Sequence, residues 1–173
     1  MKIWKEENLI RRLNERKKTV ARDKDHLKRL IKYRIDKYGT YCDLCDIDVS
    51  QITDMSGLFK DSIFHGDISE WDVSNVKNMN HMFYKSQFDG DISSWNVSNV
   101  TNMNYMFAFS EFNSDISEWD VFNVKTMIRM FDHSPFDGDI STWDVSGVWD
   151  KYHILSGSLL ENKDPYKYFN IYK

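Results

Sequence analysis

The segment at residues 66–88, GDISEWDVSNVKNMNHMFYKSQF, decides the fold of this chain, because its apolar positions recur 24 residues later. The tryptophans mark this register most clearly, at Trp71, Trp95, Trp119 and Trp143. A fixed period of this length is typical of proteins in which each copy is one structural unit stacked on the next. We therefore expect a short solenoid of about five copies over residues 40–159.

The other apolar positions of the segment keep the same spacing. They are Phe64, Phe88, Phe112 and Phe136; Ile68, Ile92, Ile116 and Ile140; Val73, Val97, Val121 and Val145; Val76, Val100, Val124 and Val148; and Met79, Met103 and Met127. A degenerate copy precedes them over residues 44–59, and a decaying copy follows to residue 155. One copy alone cannot bury its apolar face, so we expect the copies to fold as a unit.

The spacing of apolar residues changes within one copy. The Trp-Asp-Val stretch at 71–73 alternates, which is typical of a strand. The apolar residues Val76, Met79 and Met82 then follow at intervals of three, which is typical of a helical or 3₁₀ turn. We predict a parallel strand ladder on one side of the stack and short helical segments on the other, an α/β architecture.

The repeat resembles that of a known family. The pattern DIS-x-W-x-VSNV-x-x-M-x-x-MF-x-x-S-x-F is similar to the repeat of BspA-type leucine-rich-repeat proteins of bacteria and their phages, over roughly residues 40–155. The lead-in at 30–59, LIKYRIDKYGTYCDLCDIDVSQITDMSGLF, is similar as well. The resemblance implies a leucine-rich-repeat-like solenoid used for recognition, and many relatives are secreted adhesins.

The ends of such a stack need covering elements. Residues 6–20 and 25–38 have the pattern of two helices, and the second has an aliphatic stripe, an Asp25 start and a Gly39 stop. We therefore predict a basic helical N-terminal cap at residues 1–39. The aromatic segment at 160–173 is either a C-terminal cap or a tail that binds a partner.

Charge is divided unevenly along the chain. Residues 1–38 carry 14 Lys+Arg and 6 Asp+Glu, whereas the remaining residues carry 9 and 21. The basic arm suggests either nucleic-acid binding or a solvated helix face. The chain has neither an apolar run long enough for a membrane helix nor a signal peptide at its start. We expect a cytoplasmic protein that does not contact a membrane.

An acidic stripe is expected along the strands. If Trp71 and Val73 point inward, the side chain between them points outward. The residues assigned to this stripe are Glu70, Asp72, Glu118, Asp120 and Asp144, with Asp48 and Asn96 at equivalent positions. The stripe suggests a partner with a basic patch, and the alternative is a solvated sheet face that discourages aggregation.

A second acidic row contains Asp67, Asp91, Asp115 and Asp139. These residues are expected to bond their own backbone in turns, because the spacing of calcium-binding loops is absent. The asparagines Asn75, Asn99 and Asn123 are expected to form a structural ladder. We predict no metal site and no cofactor.

Some aromatic residues stand where other copies have polar ones. We select Tyr84, Tyr105, Phe109, Phe122 and Trp149 as partner contacts, since exposed aromatic residues often dominate binding energy. The alternative for each is local packing.

Catalytic signatures are missing from the sequence. There is no phosphate-binding loop, nucleophile elbow or metalloprotease motif, and the five histidines are scattered. The pair Cys42 and Cys45 has no second pair of zinc ligands, so ordinary packing is expected. We predict that the protein is not an enzyme.

The predicted function is a non-catalytic protein–protein interaction module. A narrower hypothesis is a phage or mobile-element inhibitor of a bacterial defence effector of the CRISPR type, whose basic groove the acidic stripe would cover. The alternatives are a BspA-type surface adhesin, by analogy with the family, and nucleic-acid binding through residues 2–37. The oligomeric state is left open.

Overall fold

The computed structural model describes residues 18–161. Its regular elements are the strand β1, Thr19–Val20, the helix α1, Lys24–Tyr38, and the strand β2, Ile47–Asp48. The two strands pair in parallel, with Thr19 opposite Ile47 and Val20 opposite Asp48. This pairing attaches the segment before α1 to the first copy of the repeat.

The helix predicted over residues 25–38 is present as α1. It begins one residue earlier than predicted, at Lys24, because the N-cap is Asp23, whose side chain accepts the His26 N–H at 2.7 Å. It ends at Gly39, whose φ of 86° a residue with a side chain rarely adopts. A second helix is predicted over residues 6–20. Its residues 6–17 lie outside the described residues, and Thr19–Val20 at its end form the strand β1 instead.

The inner face of α1 packs on the first copies. Leu27 and Ile31 are buried in the common core. Two ion pairs flank them, with Arg34 Nη2 at 2.6 Å from Asp46 and Lys24 Nζ at 3.1 Å from Asp54. The predicted aliphatic stripe is therefore core in the structure. The assignment of all of residues 1–39 as a cap stays a prediction.

Within the copies the chain forms a series of β-turns, and residues 40–161 contain no helix. In three turns of a typical copy the N–H of one apolar residue bonds to the carbonyl of the apolar residue three positions earlier. Examples are Trp71 to Ile68 at 3.1 Å and Val76 to Val73 at 2.9 Å. The intervals of three are thus the two ends of separate turns, which have the same spacing as a helical face.

The expected strand at 71–73 also differs from the structure. Parallel bridges lie elsewhere in the copy, and they join Asp54, Asn78, Asn102, Thr126 and Asp150 in succession. Neighbouring backbone bonds follow the same order, for example Phe83 N–H to Met106 C=O at 2.9 Å. We propose that the copies stack as a short leucine-rich-repeat-like solenoid, because these bonds join equivalent parts of consecutive copies.

The core consists of the repeated apolar positions, which are buried from the first copy to the last. The ring centroids of Phe59 and Phe83 lie 5.5 Å apart, as do those of Phe83 and Phe107. The indole N–H of each of the four repeat tryptophans is also satisfied inside the core, as for Trp95, which donates to the Ile68 carbonyl at 3.2 Å. A buried donor paired in this way fixes each copy on the one before it.

The last described residues cover the end of this core. Ile154, Leu155 and Leu160 are buried. The segment predicted as an aromatic cap or tail, 160–173, lies outside the described residues after Glu161. No helix in the described part of the chain combines the length and the apolar composition that a membrane crossing requires.

Candidate partner-binding site

Short polar side chains fix the turns of each copy. In the second copy, Oδ1 of Asp67 accepts the Ser69 N–H at 2.9 Å and Oδ1 of Asp72 accepts the Ser74 N–H at 3.0 Å. Such bonds from an Asp or Asn side chain to the backbone two residues later define an Asx turn. The same bonds recur in the other copies, which confirms that the row of Asp67, Asp91, Asp115 and Asp139 bonds its own backbone.

These turns form the strongest charge feature of the surface. We define the acidic edge as the five equivalent segments 41–48, 65–72, 89–96, 113–120 and 137–144. Together they contain 14 Asp+Glu and no Lys or Arg. The rest of residues 40–161 carries 6 Asp+Glu and 6 Lys+Arg. The net negative charge of residues 40–161 therefore comes from this edge, because the charges of the other residues cancel.

Consecutive segments of the acidic edge are bonded to each other. The Ser94 hydroxyl donates to the Ser69 carbonyl at 3.3 Å, and the Asn113 N–H donates to Oδ1 of Asp89 at 2.7 Å. Beside the edge, the predicted asparagine ladder is confirmed, since Asn99 Nδ2 donates to the Ser74 carbonyl at 2.8 Å. The positions of the carboxylates are thus set by backbone geometry.

The turns also keep the carboxylates ionised. The pKa of Asp91 lies below its ordinary value of 3.8, first because the Ser93 N–H stabilises the charged form. The pKa of Asp115 is lowered in the same way by Ser117. In both cases the Asp of the preceding copy acts to raise the pKa, because like charges repel. The lowered values show that the turn bonds outweigh the repulsion.

The five acidic residues selected from the sequence are all exposed. Glu70, Asp72, Glu118, Asp120 and Asp144 all lie in the acidic edge. Asp72, Asp120 and Asp144 are held there by Asx turns, and not by the alternation of a strand. Sequence reasoning missed Asp46, Asp89 and Asp137 as members of the same surface. The signal that would have found them is the absence of Lys and Arg from these segments.

Three of the five selected aromatic residues lie on a different surface. Two positions of each copy have φ between 50° and 66°, the left-handed region. We call them the left-handed columns, and they comprise Gly57, His81, Tyr105, Arg129 and His153, and Asp61, Lys85, Phe109, His133 and Gly157. Tyr105 stacks on His81 at 4.7 Å, and Phe109 stacks on His133 at 5.0 Å. Tyr84 lies between the columns and contacts the edge of Phe109 at 5.8 Å.

The ring stacking favours local packing over partner contact for Tyr84, Tyr105 and Phe109. Tyr84 and Tyr105 are half-buried, and Phe109 keeps 42% of its surface. A non-glycine residue in the left-handed region destabilises the fold by about 1–2 kcal/mol, and an aromatic pair stabilises it by about 0.5–1.5 kcal/mol. The ring contacts thus offset part of the backbone strain within the columns.

The other two aromatic residues are more exposed. Phe122 keeps 55% of its surface and Trp149 keeps 75%. Between them lies Gly147, where an added Cβ would come within 2.9 Å of the Phe122 carbonyl and 3.3 Å of Lys125 Nζ. This glycine replaces the asparagine of the ladder, so the ladder stops beside Phe122. The structure therefore separates these two residues from the left-handed columns.

The two cysteines are free, as expected for packing positions. Atoms of Asp43, Cys45 and Asp67 lie within 4.8 Å of one another, an arrangement that could hold a cation. Three side chains are fewer than the four ligands of a structural zinc site, and two of them are exposed carboxylates. The residues thus do not favour a metal, and the absence of a metal site stays a prediction.

The family model described as "Mycoplasma protein of unknown function, DUF285" matches residues 36–110 and 53–169, more than half of the chain. The chain belongs to this family. DUF285 is in general a family of BspA-like repeats, which agrees with the coarse resemblance but leaves the detailed motif a prediction. No curated protein and no solved structure matches the chain.

Proposed function

We propose that this DUF285 chain is a non-catalytic interaction module that binds a basic surface of another protein through its acidic edge. The observation that carries the proposal is the composition of the edge, which has 14 Asp+Glu and no Lys or Arg. Complementary charge guides a partner to its site and excludes wrong partners. A carboxylate row fixed by turn bonds also needs little ordering on binding, which lowers the entropic cost of association.

A solvated edge that merely prevents aggregation would not require this geometry. Flexible Glu and Lys side chains would serve that purpose, whereas here short Asp side chains are bonded to the backbone at regular intervals. Fixed positions favour recognition of a fixed pattern of positive charge. The edge therefore supports binding more than it supports solubility alone.

The natural Asn96 provides a design for the test. Its Oδ1 accepts the Ser98 N–H at 3.1 Å, so asparagine preserves the Asx turn without the charge. The edge variant is Asp72→Asn/Asp120→Asn/Asp144→Asn. The matched control removes three exposed carboxylates from outside the edge, as Asp25→Asn/Asp61→Asn/Glu111→Gln. Both variants change the net charge equally.

The experiment is affinity capture from nuclease-treated bacterial lysate, with each captured protein identified by mass spectrometry. We expect a stoichiometric partner that the wild type and the control retain and the edge variant loses. A partner that the edge variant retains in full would refute binding through the edge. Nuclease treatment removes partners that are bridged only by nucleic acid.

A narrower form of the proposal concerns the kind of partner. A nucleic-acid-binding defence effector offers a basic groove of the sort that an acidic edge would cover. The inhibitor hypothesis therefore remains a proposal, and it expects the captured partner to lose nucleic-acid binding when the chain is added. The adhesin and the nucleic-acid-binding hypotheses also stay predictions.

A further inference from the structure

A shallow cleft of about 470 Å³ opens on the first three segments of the acidic edge. Its lining includes Tyr41, His65, Gly66, Asp67, Gly90 and Asp91. Two aromatic rings, two carboxylates and a glycine floor therefore meet in one cavity. This combination occurs at one end of the edge, whereas the rest of it is lined by turns of similar sequence.

The aromatic wall is formed by Tyr41 and His65, whose rings are nearly parallel at 15° with centroids 5.1 Å apart. Tyr41 keeps 77% of its surface, so much of its ring is open to solvent. In later copies this position is occupied by Asp89 and Asn113, each of which accepts the backbone N–H of the next copy. The ring of Tyr41 or His65 has no side-chain oxygen that could accept this N–H in the same way. The first two copies therefore lack the bond and present the flat faces of two rings instead.

Gly66 and Gly90 form the floor, where the backbone packs too closely on neighbouring atoms to accept a side chain. A Cβ at Gly66 would lie 1.9 Å from the Cys42 carbonyl, and one at Gly90 would lie 2.7 Å from the Phe88 ring. The next copy has Ser114 at this position, and its hydroxyl donates to the Asp89 carbonyl at 3.0 Å. Gly138 occupies this position again in a later copy, so two consecutive glycines at this position occur at this end of the edge.

The carboxylates of Asp67 and Asp91 complete the cleft. Oδ1 of Asp91 accepts both the N–H and the hydroxyl of Ser93, at 2.9 and 2.7 Å, which leaves Oδ2 for a ligand. Asp67 accepts the Ser69 N–H and a bond from the Cys45 thiol. Both side chains are exposed and are fixed by their turns. A cation placed here would meet two negative charges beside an aromatic face.

We propose that this cleft binds an arginine side chain of the basic partner, an inference that rests on the proposed function of the acidic edge. The planar guanidinium stacks on Tyr41 and donates to Asp91 and Asp67. Arginine suits such a site better than lysine, because it stacks flat on an aromatic ring and bonds carboxylates in a fixed fork. The cleft thereby selects among partners that have the same positive charge.

The test compares fluorescent nona-arginine and nona-lysine, which have equal length and charge, by anisotropy in 0.15 M salt. We expect the wild type to bind the arginine peptide roughly tenfold more tightly. Tyr41→Ala should abolish this preference, and the exposed ring of Tyr41 makes unfolding by this change unexpected. The matched control is Tyr33→Ala, which removes a tyrosine of α1 that keeps 56% of its surface.

The outcomes separate this inference from the proposed function. Equal binding of both peptides by the wild type, reduced by the edge variant, would refute the arginine site and leave the function of the edge intact. A preference for arginine that survives Tyr41→Ala would also refute the site. Failure of both peptides to bind would overturn the site and the function of the edge together.

Discussion

The pair Asp132 and Arg129 gives an asymmetric prediction. The Asp132 side chain is only 1% exposed, and it accepts bonds from Arg129 Nη1 at 2.9 Å and from His133 Nδ1 at 2.7 Å. Its two partners remain 40% and 60% exposed. Removing Arg129 thus leaves a buried carboxylate without its permanent counter-charge, whereas removing Asp132 leaves two groups that water can reach.

The magnitudes follow from this difference in burial. Arg129→Met retains the apolar stem and should cost about 2–3 kcal/mol of the free energy of unfolding, because a buried charge loses a charged hydrogen bond. Asp132→Ala should cost about 1 kcal/mol or less. Alanine fits at this position, since Ala108 is fully buried at the equivalent place in the preceding copy.

The assay is urea unfolding at pH 7 for both single variants and for the double variant, compared at equal m-values. The double variant should resemble Asp132→Ala alone, which corresponds to a coupling of about 2 kcal/mol. It also serves as the control for placing methionine at a left-handed position. An Asp132→Ala variant less stable than Arg129→Met would refute this reasoning.

Four further predictions concern stability. Gly57→Ala should cost about 1 kcal/mol, because φ is 61° and the added Cβ meets no atom closer than 3.9 Å. Gly66→Ala should cost several times more because of its clash with the Cys42 carbonyl, and equal losses in chemical unfolding would contradict the assigned geometry. Trp95→Phe should cost about 1 kcal/mol by removing the indole N–H bond to the Ile68 carbonyl, which keeps the Trp71 N–H as its other donor, and an unchanged unfolding midpoint would show that this bond contributes nothing. Melting temperature should fall below about pH 4, because carboxylates with lowered folded pKa values lose their stabilisation as they are protonated. It should also fall above about pH 9, because the Cys45 thiol, with a folded pKa of about 12, ionises more readily in the unfolded chain. Cys45→Ser should remove this alkaline component, and a variant with an unchanged alkaline slope would refute the assignment.

The period, the buried positions and the helix α1 could be predicted because each depends on the pattern of apolar residues alone. The local conformation could not, because an interval of three residues fits both a helical face and the two ends of a β-turn. The left-handed residues His81 and Lys85 interrupt any helix, but their side chains give no signal of that conformation. The signal lies in the divergent first and last copies, where Gly57 and Gly157 occupy these columns.

The candidate site was predicted in part. The exposure of Asp72 and its equivalents was expected, but it follows from turn chemistry. The cleft could not be predicted, because it depends on the stacking of Tyr41 with His65, and their place in the repeat does not reveal that contact. Folding brings these rings beside the carboxylates of Asp67 and Asp91.

Zero-length carbodiimide cross-linking of the captured complex tests the central claim most directly, because this reagent joins lysines only to carboxylates in contact with them. We predict that partner lysines will be linked to carboxylates of the acidic edge, above all within 65–72, 113–120 and 137–144. Links confined to Asp61 or Glu111, or links from lysines of this chain to carboxylates of the partner, would contradict binding through the acidic edge.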